Sequence, residues 1–223
     1  MKKLPVLILM TALFCVNLIA QNNGDNVARS TKSYRFTLGS GYAYRLGKME
    51  KTGDKVTDDL AKKLRHGFDL NASGQLFFNR NIGIGINAIY IRQHESGPER
   101  VIPMLTGFTS LELKETTQFF YLGPSFVVSS NPNKIVYYAE AGAGLLVFDD
   151  AGDIYGIKFD LTRPTVGFHL GVSPEYRFSS QFGLGLKLSL TAGFIYTSFY
   201  GTDEKLRNVS NLNIGAFISF RTK

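Results

Sequence analysis

One cysteine is all the 223-residue chain contains, and it is Cys15, inside an uncharged run near the start. Beyond that run there is no stretch of about 20 consecutive apolar residues, which excludes a transmembrane helix in the rest of the chain. Charge is also sparse. The net charge of +7 falls to +5 once Lys2 and Lys3 are set aside (23 basic against 18 acidic residues), and the surplus is too weak and too scattered for a nucleic-acid partner. No Cys or His cluster has the spacing of a metal site, so no metal and no cofactor is expected.

Lys2 and Lys3, the apolar run Leu4 to Val16 and the small Ala20 before polar Gln21 read as a secretory signal peptide over 1–20, cleaved between Ala20 and Gln21. Phe14 is too large for the residue that precedes a lipid-modified cysteine, which argues against a lipoprotein anchor. Removing the leader leaves no cysteine, as suits an exported chain that does not rely on disulfides. Residues 21–32 form a polar lead-in.

What remains is alternation. From 163 to 178 the even positions (Pro164, Val166, Phe168, Leu170, Val172, Pro174, Tyr176, Phe178) are apolar, while the odd ones are polar or glycine. Residues 182–196 repeat the pattern, and only Ile195 breaks it. The same period of two yields eight strands, at 33–44, 66–78, 82–92, 115–128, 135–148, 163–178, 182–196 and 209–221. They are long for globular strands, which average about 5 to 6 residues, and long enough for a tilted strand to cross a bilayer, which takes about 9 to 11. Long connectors (45–65, 93–114, 149–162, 197–208) alternate with short ones (79–81, 129–134, 179–181), so the two kinds lie at opposite ends.

This layout predicts an all-β protein: an antiparallel, eight-stranded, up-and-down transmembrane β-barrel with both termini at the short-turn end. Hydrocarbon offers backbone groups no hydrogen-bond partner, so the sheet must close. The competing architecture is a soluble lipocalin-like barrel, with the apolar face turned inward and a charged exterior. Here the second face is mostly Gly, Ser, Thr and Asn, as in "IGIGINAIY" from Ile82 to Tyr90. Those glycines lack the strand-turn-helix context of a phosphate-binding loop.

The strand-turn-strand "GVSPEYRFSSQFGLGLKLSL" and the ending "NIGAFISF" resemble the outer-membrane protein β-barrel domain family, of the OmpA and OmpX kind, over residues 33–221. The resemblance implies a bacterial outer-membrane location with periplasmic termini, contact with outer-membrane lipid and lipopolysaccharide, and recognition by the barrel-insertion machinery through a terminal aromatic. Here that aromatic, Phe220, is followed by Arg221, Thr222 and Lys223. The family also implies a lumen plugged by a charge network.

An eight-stranded barrel is just wide enough to be filled by side chains, so inward polar groups must satisfy one another. The inferred inward set is Arg35, Asp69, Glu140, His169, Glu175, Arg177 and Lys187. A turn placing Phe178 opposite Phe182 puts Lys187 opposite Ser173 and diagonal to Glu175. A network of Glu140, Glu175, Arg177 and Lys187 with Arg35 is therefore expected, since an unpaired buried charge costs several kcal/mol. The other reading of the same charges is a lined pore, a narrow conduit for small or hydrophobic solutes. Pro174 removes a ladder hydrogen bond, so a local bulge is expected there.

Catalysis is weakly indicated. "HES", His94 to Ser96, has the residue types of a lipid A-modifying enzyme, but is expected in a loop with nothing to hold register. "DDAGD", Asp149 to Asp153, lacks calcium-loop spacing. Within 45–65, Val56, Leu60 and Leu64 stand four apart with acids early and bases late, predicting a short amphipathic helix over the barrel mouth. The segment 101–108 places Val101, Ile102, Met104, Leu105 and Phe108 in a loop; either it folds inward over the mouth or it contacts an extracellular protein partner. Function is expected to be non-enzymatic: envelope integrity, or surface interaction through the loops.

Overall fold

The computed structural model of the protein describes residues 32–47, 55–97, 100–104, 107–111, 113–130, 133–154, 157–197 and 205–222. The expected leader, its cleavage point at Ala20 and Gln21, most of the lead-in and Leu105 lie outside the described residues. In chain order the elements are β1 (Ser33–Arg45), α1 (Lys55–Lys63), β2 (His66–Phe77), β3 (Ile82–Ser96), β4 (Arg100–Met104), β5 (Gly107–Leu111), β6 (Leu113–Ser129), β7 (Ile135–Ile154), β8 (Ile157–Arg177), β9 (Phe182–Thr197), β10 (Lys205–Asn208) and β11 (Asn211–Thr222).

Neighbouring strands pair antiparallel all the way round, β1 with β2 and β11, and β9 with both β8 and β11, so the sheet closes and has no free edge. β10 and β11 pair β9 in one continuous register, Asn208↔Phe194 and then Asn211↔Thr191, and form a single barrel strand interrupted at Val209 and Ser210. The barrel therefore has eight walls, each falling on one of the eight alternating segments.

Alternation decides which way each wall faces. Leu38, Ile86 and Ile218 point outward and are 60–61% exposed, as are many other large apolar side chains around the outside. Phe36, Phe78, Tyr137, Tyr176, Phe178, Phe182 and Phe220 ring the short-turn end, and Tyr42, Phe68, Phe120, Phe194 and Tyr196 ring the loop end. An apolar band between two aromatic girdles is what lipid solvates and water does not. The soluble alternative needed the apolar face inside, and the structure turns it out.

The short turns are held by side chains that stand in for a strand partner. Asn79 Oδ1 accepts from the backbone N–H of Asn81 (2.9 Å) and Ile82 (2.7 Å). Ser179 Oγ does the same for Gln181 (3.2 Å) and Phe182 (2.9 Å). Asn and Ser favour such positions because their short polar side chains bond the backbone two or three residues on. With Ser179 N bonding Phe182 O at 3.2 Å and the Phe178 and Phe182 rings stacked, the β8–β9 hairpin has the register its sequence implies.

Three expectations are corrected. First, Pro174 makes no bulge. The β8–β9 ladder skips Ser173 and Pro174, yet Val172↔Leu188 and Glu175↔Gly185 belong to one register, so the strand loses local pairing without slipping. Pro124 leaves the same kind of gap in the β6–β7 ladder, between Leu122↔Leu145 and Ser125↔Gly142. Second, 149–162 is not a loop, because β7 and β8 stay paired out to Ile154↔Ile157. Asp149 to Asp153 are strand residues: Asp149 faces out and accepts from Thr162 (3.0 Å), while Asp150 faces in and accepts from Thr117 (3.1 Å). Third, His94 to Ser96 end β3 and do not lie in a loop.

The 97–112 connection contains its own hairpin, β4 with β5, as a separate two-stranded sheet. Val101, Ile102 and Met104 lie in β4 and Phe108 in β5. Helix α1 forms as its spacing predicts, with Leu60 and the following Leu64 buried. Lys62 bonds Asp59 at 2.7 Å and holds its carboxyl below the usual range. The Arg65 carbonyl just beyond the helix accepts from Arg45 N (2.9 Å) and Gln93 Nε2 (3.2 Å), which seats this end of the helix on the rim of β1 and β3.

Candidate functional site: a filled lumen and its mouth

Inside, the polar groups form a chain that crosses the barrel. Arg35, on β1, donates from Nε (2.9 Å) and Nη2 (2.7 Å) to Glu175 Oε2 on β8. Hydrogen bonds between a guanidinium and a carboxylate, both ionised, are among the stronger ones. Its Nη1 donates to Gln75 Oε1 at 2.6 Å, and Gln75 Nε2 donates in turn to Glu140 Oε2 at 3.2 Å. Glu140 Oε1 then takes Lys187 Nζ at 2.5 Å and His169 Nε2 at 3.0 Å. Glu175 has a second arginine on its other oxygen, Arg221 Nη2 at 2.5 Å.

Tyr138 completes the cluster. The Arg35 guanidinium lies 3.9 Å above its ring, and its hydroxyl accepts from Arg177 (2.8 Å) and from Arg221. Every ionised oxygen in the chain thus meets a cation or an amide, which is what burial of charge requires.

The five residues expected in the lumen network are brought together, along with His169 of the inward set, but with a different wiring. Lys187 pairs with Glu140 and not with Glu175. Arg177 is peripheral, its Nε 3.9 Å from Glu175 and its nearest partner Tyr138. Asp69, also read as inward, is buried and accepts from Asn71 Nδ2 at 2.7 Å, apart from the chain. Sequence reasoning missed Gln75, Tyr138 and Arg221. Arg221 was legible: Asn213, Phe217 and Ser219 are inward, and 221 shares their parity.

The lumen's loop half holds an apolar cluster beside buried polar side chains such as Asp69, Asn71 and Asn213. Ala43, Ile89, Ile91, Phe119, Tyr121, Leu146, Phe148, Ile195 and Val209 pack together inside the barrel, all buried. Ile195, the one break in the alternation of β9, belongs to this layer. Lumen glycines make room for it and for the large side chains below. A Cβ on Gly193 would run into Leu146, and one on Gly185 into the Phe217 ring.

A smaller apolar cluster, Phe77, Val127, Val136 and Tyr138, lies at the short-turn end. The polar cavity between Arg35, Ser73, Glu140 and Lys187 holds about 10 Å³, room for about one water molecule. Above the apolar layer Gln93 Nε2 donates across the mouth to Asn211 Oδ1 at 3.1 Å.

The three histidines are spread apart. His169 is sealed in the lumen at 0% exposure, its ring 5.7 Å from Tyr121. His66 is on the outside, where its Nδ1 meets the Tyr42 hydroxyl, and His94 is on the outside with Nδ1 2.7 Å from Thr116 Oγ1. Because strand residues alternate faces, Glu95 turns away from His94 and Ser96, and the three do not converge on one point. Among the described residues no group of three His, Cys, Asp or Glu has the geometry of a metal site.

The barrel matches solved structures across its length. Neisserial surface protein A shares 11% identity, with 84% of this chain and 96% of that one covered and a TM-score of 0.52. A major outer membrane protein from Thermus thermophilus shares 12% identity, covering 86% and 100%, with a TM-score of 0.51. Ail of Yersinia pestis, in complex with the heparin analogue sucrose octasulfate, shares 13% identity, covering 85% and 99%, with a TM-score of 0.48. No protein-family model matches the chain, and no curated protein sequence matches it. The fold is that of the bacterial eight-stranded outer-membrane barrels.

Proposed function

We propose that the protein is a non-enzymatic outer-membrane barrel whose lumen is a structural core, and whose outer loops carry its contribution to envelope integrity or surface contact. The observation that carries this reading is the packed apolar layer inside the barrel. Ions would have to pass both it and the paired charges below it, where the polar cavity has room for about one water. The short turns and both ends of the barrel chain then face the periplasm. Helix α1, the β4–β5 hairpin and the far ends of β7 and β8 face outward.

Lys187→Met separates a structural plug from a pore lining. A plug loses stability when Glu140 loses its cation, at the lower end of the cost of breaking a buried pair, about 3 kcal/mol, because His169 and Gln75 remain. The heat needed to unfold the barrel on a denaturing gel should drop while liposome permeability stays unchanged. A permeability change without loss of heat resistance would count against the reading.

A further inference from the structure

We propose that Asp69, Asn71, Asn87 and Asn213, beside the apolar cluster inside the lumen, form a buried binding site for one small monovalent metal cation, of which sodium is the type.

All four side chains turn inward and are buried, at 2%, 7%, 0% and 2% exposure. Each carries an oxygen, Oδ1, that has no hydrogen-bond partner. They are neighbours on the wall. Asn71 donates from Nδ2 to Asp69 Oδ2 at 2.7 Å. Asn87 is diagonal to Asn71 across the β2–β3 ladder, in which Asn71 faces Ile89 and Ser73 faces Asn87. On the other side Asp69 faces Gly41, Gly41 faces Gly215, and Asn213 is the next inward residue of β11. The wall between Asp69 and Asn213 is therefore bare of side chains, and the free oxygens lie over it. A Cβ on Gly41 would stand 2.7 Å from Asp69 Oδ1, and one on Gly39 3.0 Å from Asn71 Oδ1.

Charge is what calls for an ion there. Among the described residues no Lys, Arg or His bonds Asp69, and Lys187, which faces Gly215, is held by Glu140 at 2.5 Å. A carboxylate taken out of water without a counter-charge is costly, and one amide donor does not offset that. The Nδ2 groups of Asn87 and Asn213 also lack partners, and water can serve those. Water cannot neutralise the acid. Carboxylate and carbonyl oxygens with no nitrogen or sulfur donor suit a hard cation. With a single negative charge among three neutral oxygens, a monovalent ion leaves the site neutral, whereas a divalent one adds a charge to a lumen that already holds Arg35, Lys187 and Arg221.

The test uses the full barrel in detergent micelles, with its denaturant midpoint measured in sodium chloride and in choline chloride at equal ionic strength. The parent should gain stability from sodium alone. Above the dissociation constant, each tenfold rise in sodium should multiply the folded-to-unfolded ratio about tenfold. Asp69→Asn keeps the side-chain shape and removes the charge, so its midpoint should not distinguish sodium from choline. Asn213→Ala, which removes a neutral oxygen, should move the response to higher sodium. Crystals soaked in thallium(I), a monovalent ion located by its anomalous scattering, should show a peak among the four side chains. A parent indifferent to sodium would overturn the proposal and leave a proton as the neutralising partner of Asp69. A sodium response that survives in Asp69→Asn, a stronger response to calcium than to sodium at equal ionic strength, or thallium peaks only outside the lumen would each overturn it as well.

Discussion

Glu175→Ala should cost about 5 kcal/mol and shift the heat-induced unfolding of the barrel, followed by gel mobility, strongly downward. Glu175 is fully buried and joins Arg35 by two hydrogen bonds and Arg221 by a third. Removing it leaves two guanidinium groups in the lumen with no carboxylate between them. Breaking a buried pair from one side typically costs about 3–5 kcal/mol, and here two cations are stranded together, which places the effect at the upper end. Tyr138, stacked on Arg35, softens the loss only slightly, since a cation–π contact contributes about 0.5–2 kcal/mol. A variant as heat-resistant as the parent would mean that the chain of charges does not hold the strands together.

Phe119→Ala should destabilise by about 3–5 kcal/mol, chiefly through the apolar layer. Phe119 is 1% exposed, its ring meets Phe148 edge to face at 5.1 Å, and the Arg45 guanidinium stands 5.6 Å from it. Cavity creation is costly where neighbours cannot collapse, and in a closed barrel the walls are fixed by their ladders. Denaturant titration followed by tyrosine fluorescence would show the lowered midpoint. If instead the midpoint holds, the layer is loosely packed and the lumen is not a core.

Much of this was readable in the residues. Each of the eight strands stands where a period of two placed it, and the turn at 178–182 fixed Lys187 opposite Ser173 as expected. What escaped is what depends on closure. Arg35 and Glu175 are 140 residues apart and meet only because β1 and β8 face each other across the lumen, so no hairpin register reveals the pair. For the same reason Lys187 was assigned to the nearer Glu175, while in the barrel Glu140 lies beside Gly171 and reaches Lys187 first.

The acids and glycine of Asp149 to Asp153 read as a loop because they are poor strand formers, yet pairing continues through them to Ile154. Ile195, an anomaly in the alternation, was in fact the mark of the apolar cluster inside the lumen.

Single-channel recording of the purified barrel in planar bilayers bears most directly on a lumen filled by side chains. Filled, it stays electrically silent across the voltage range, with no stable open level. A reproducible conductance step, altered by Glu140→Ala, would show that the charges of the lumen line a path for ions instead of closing one.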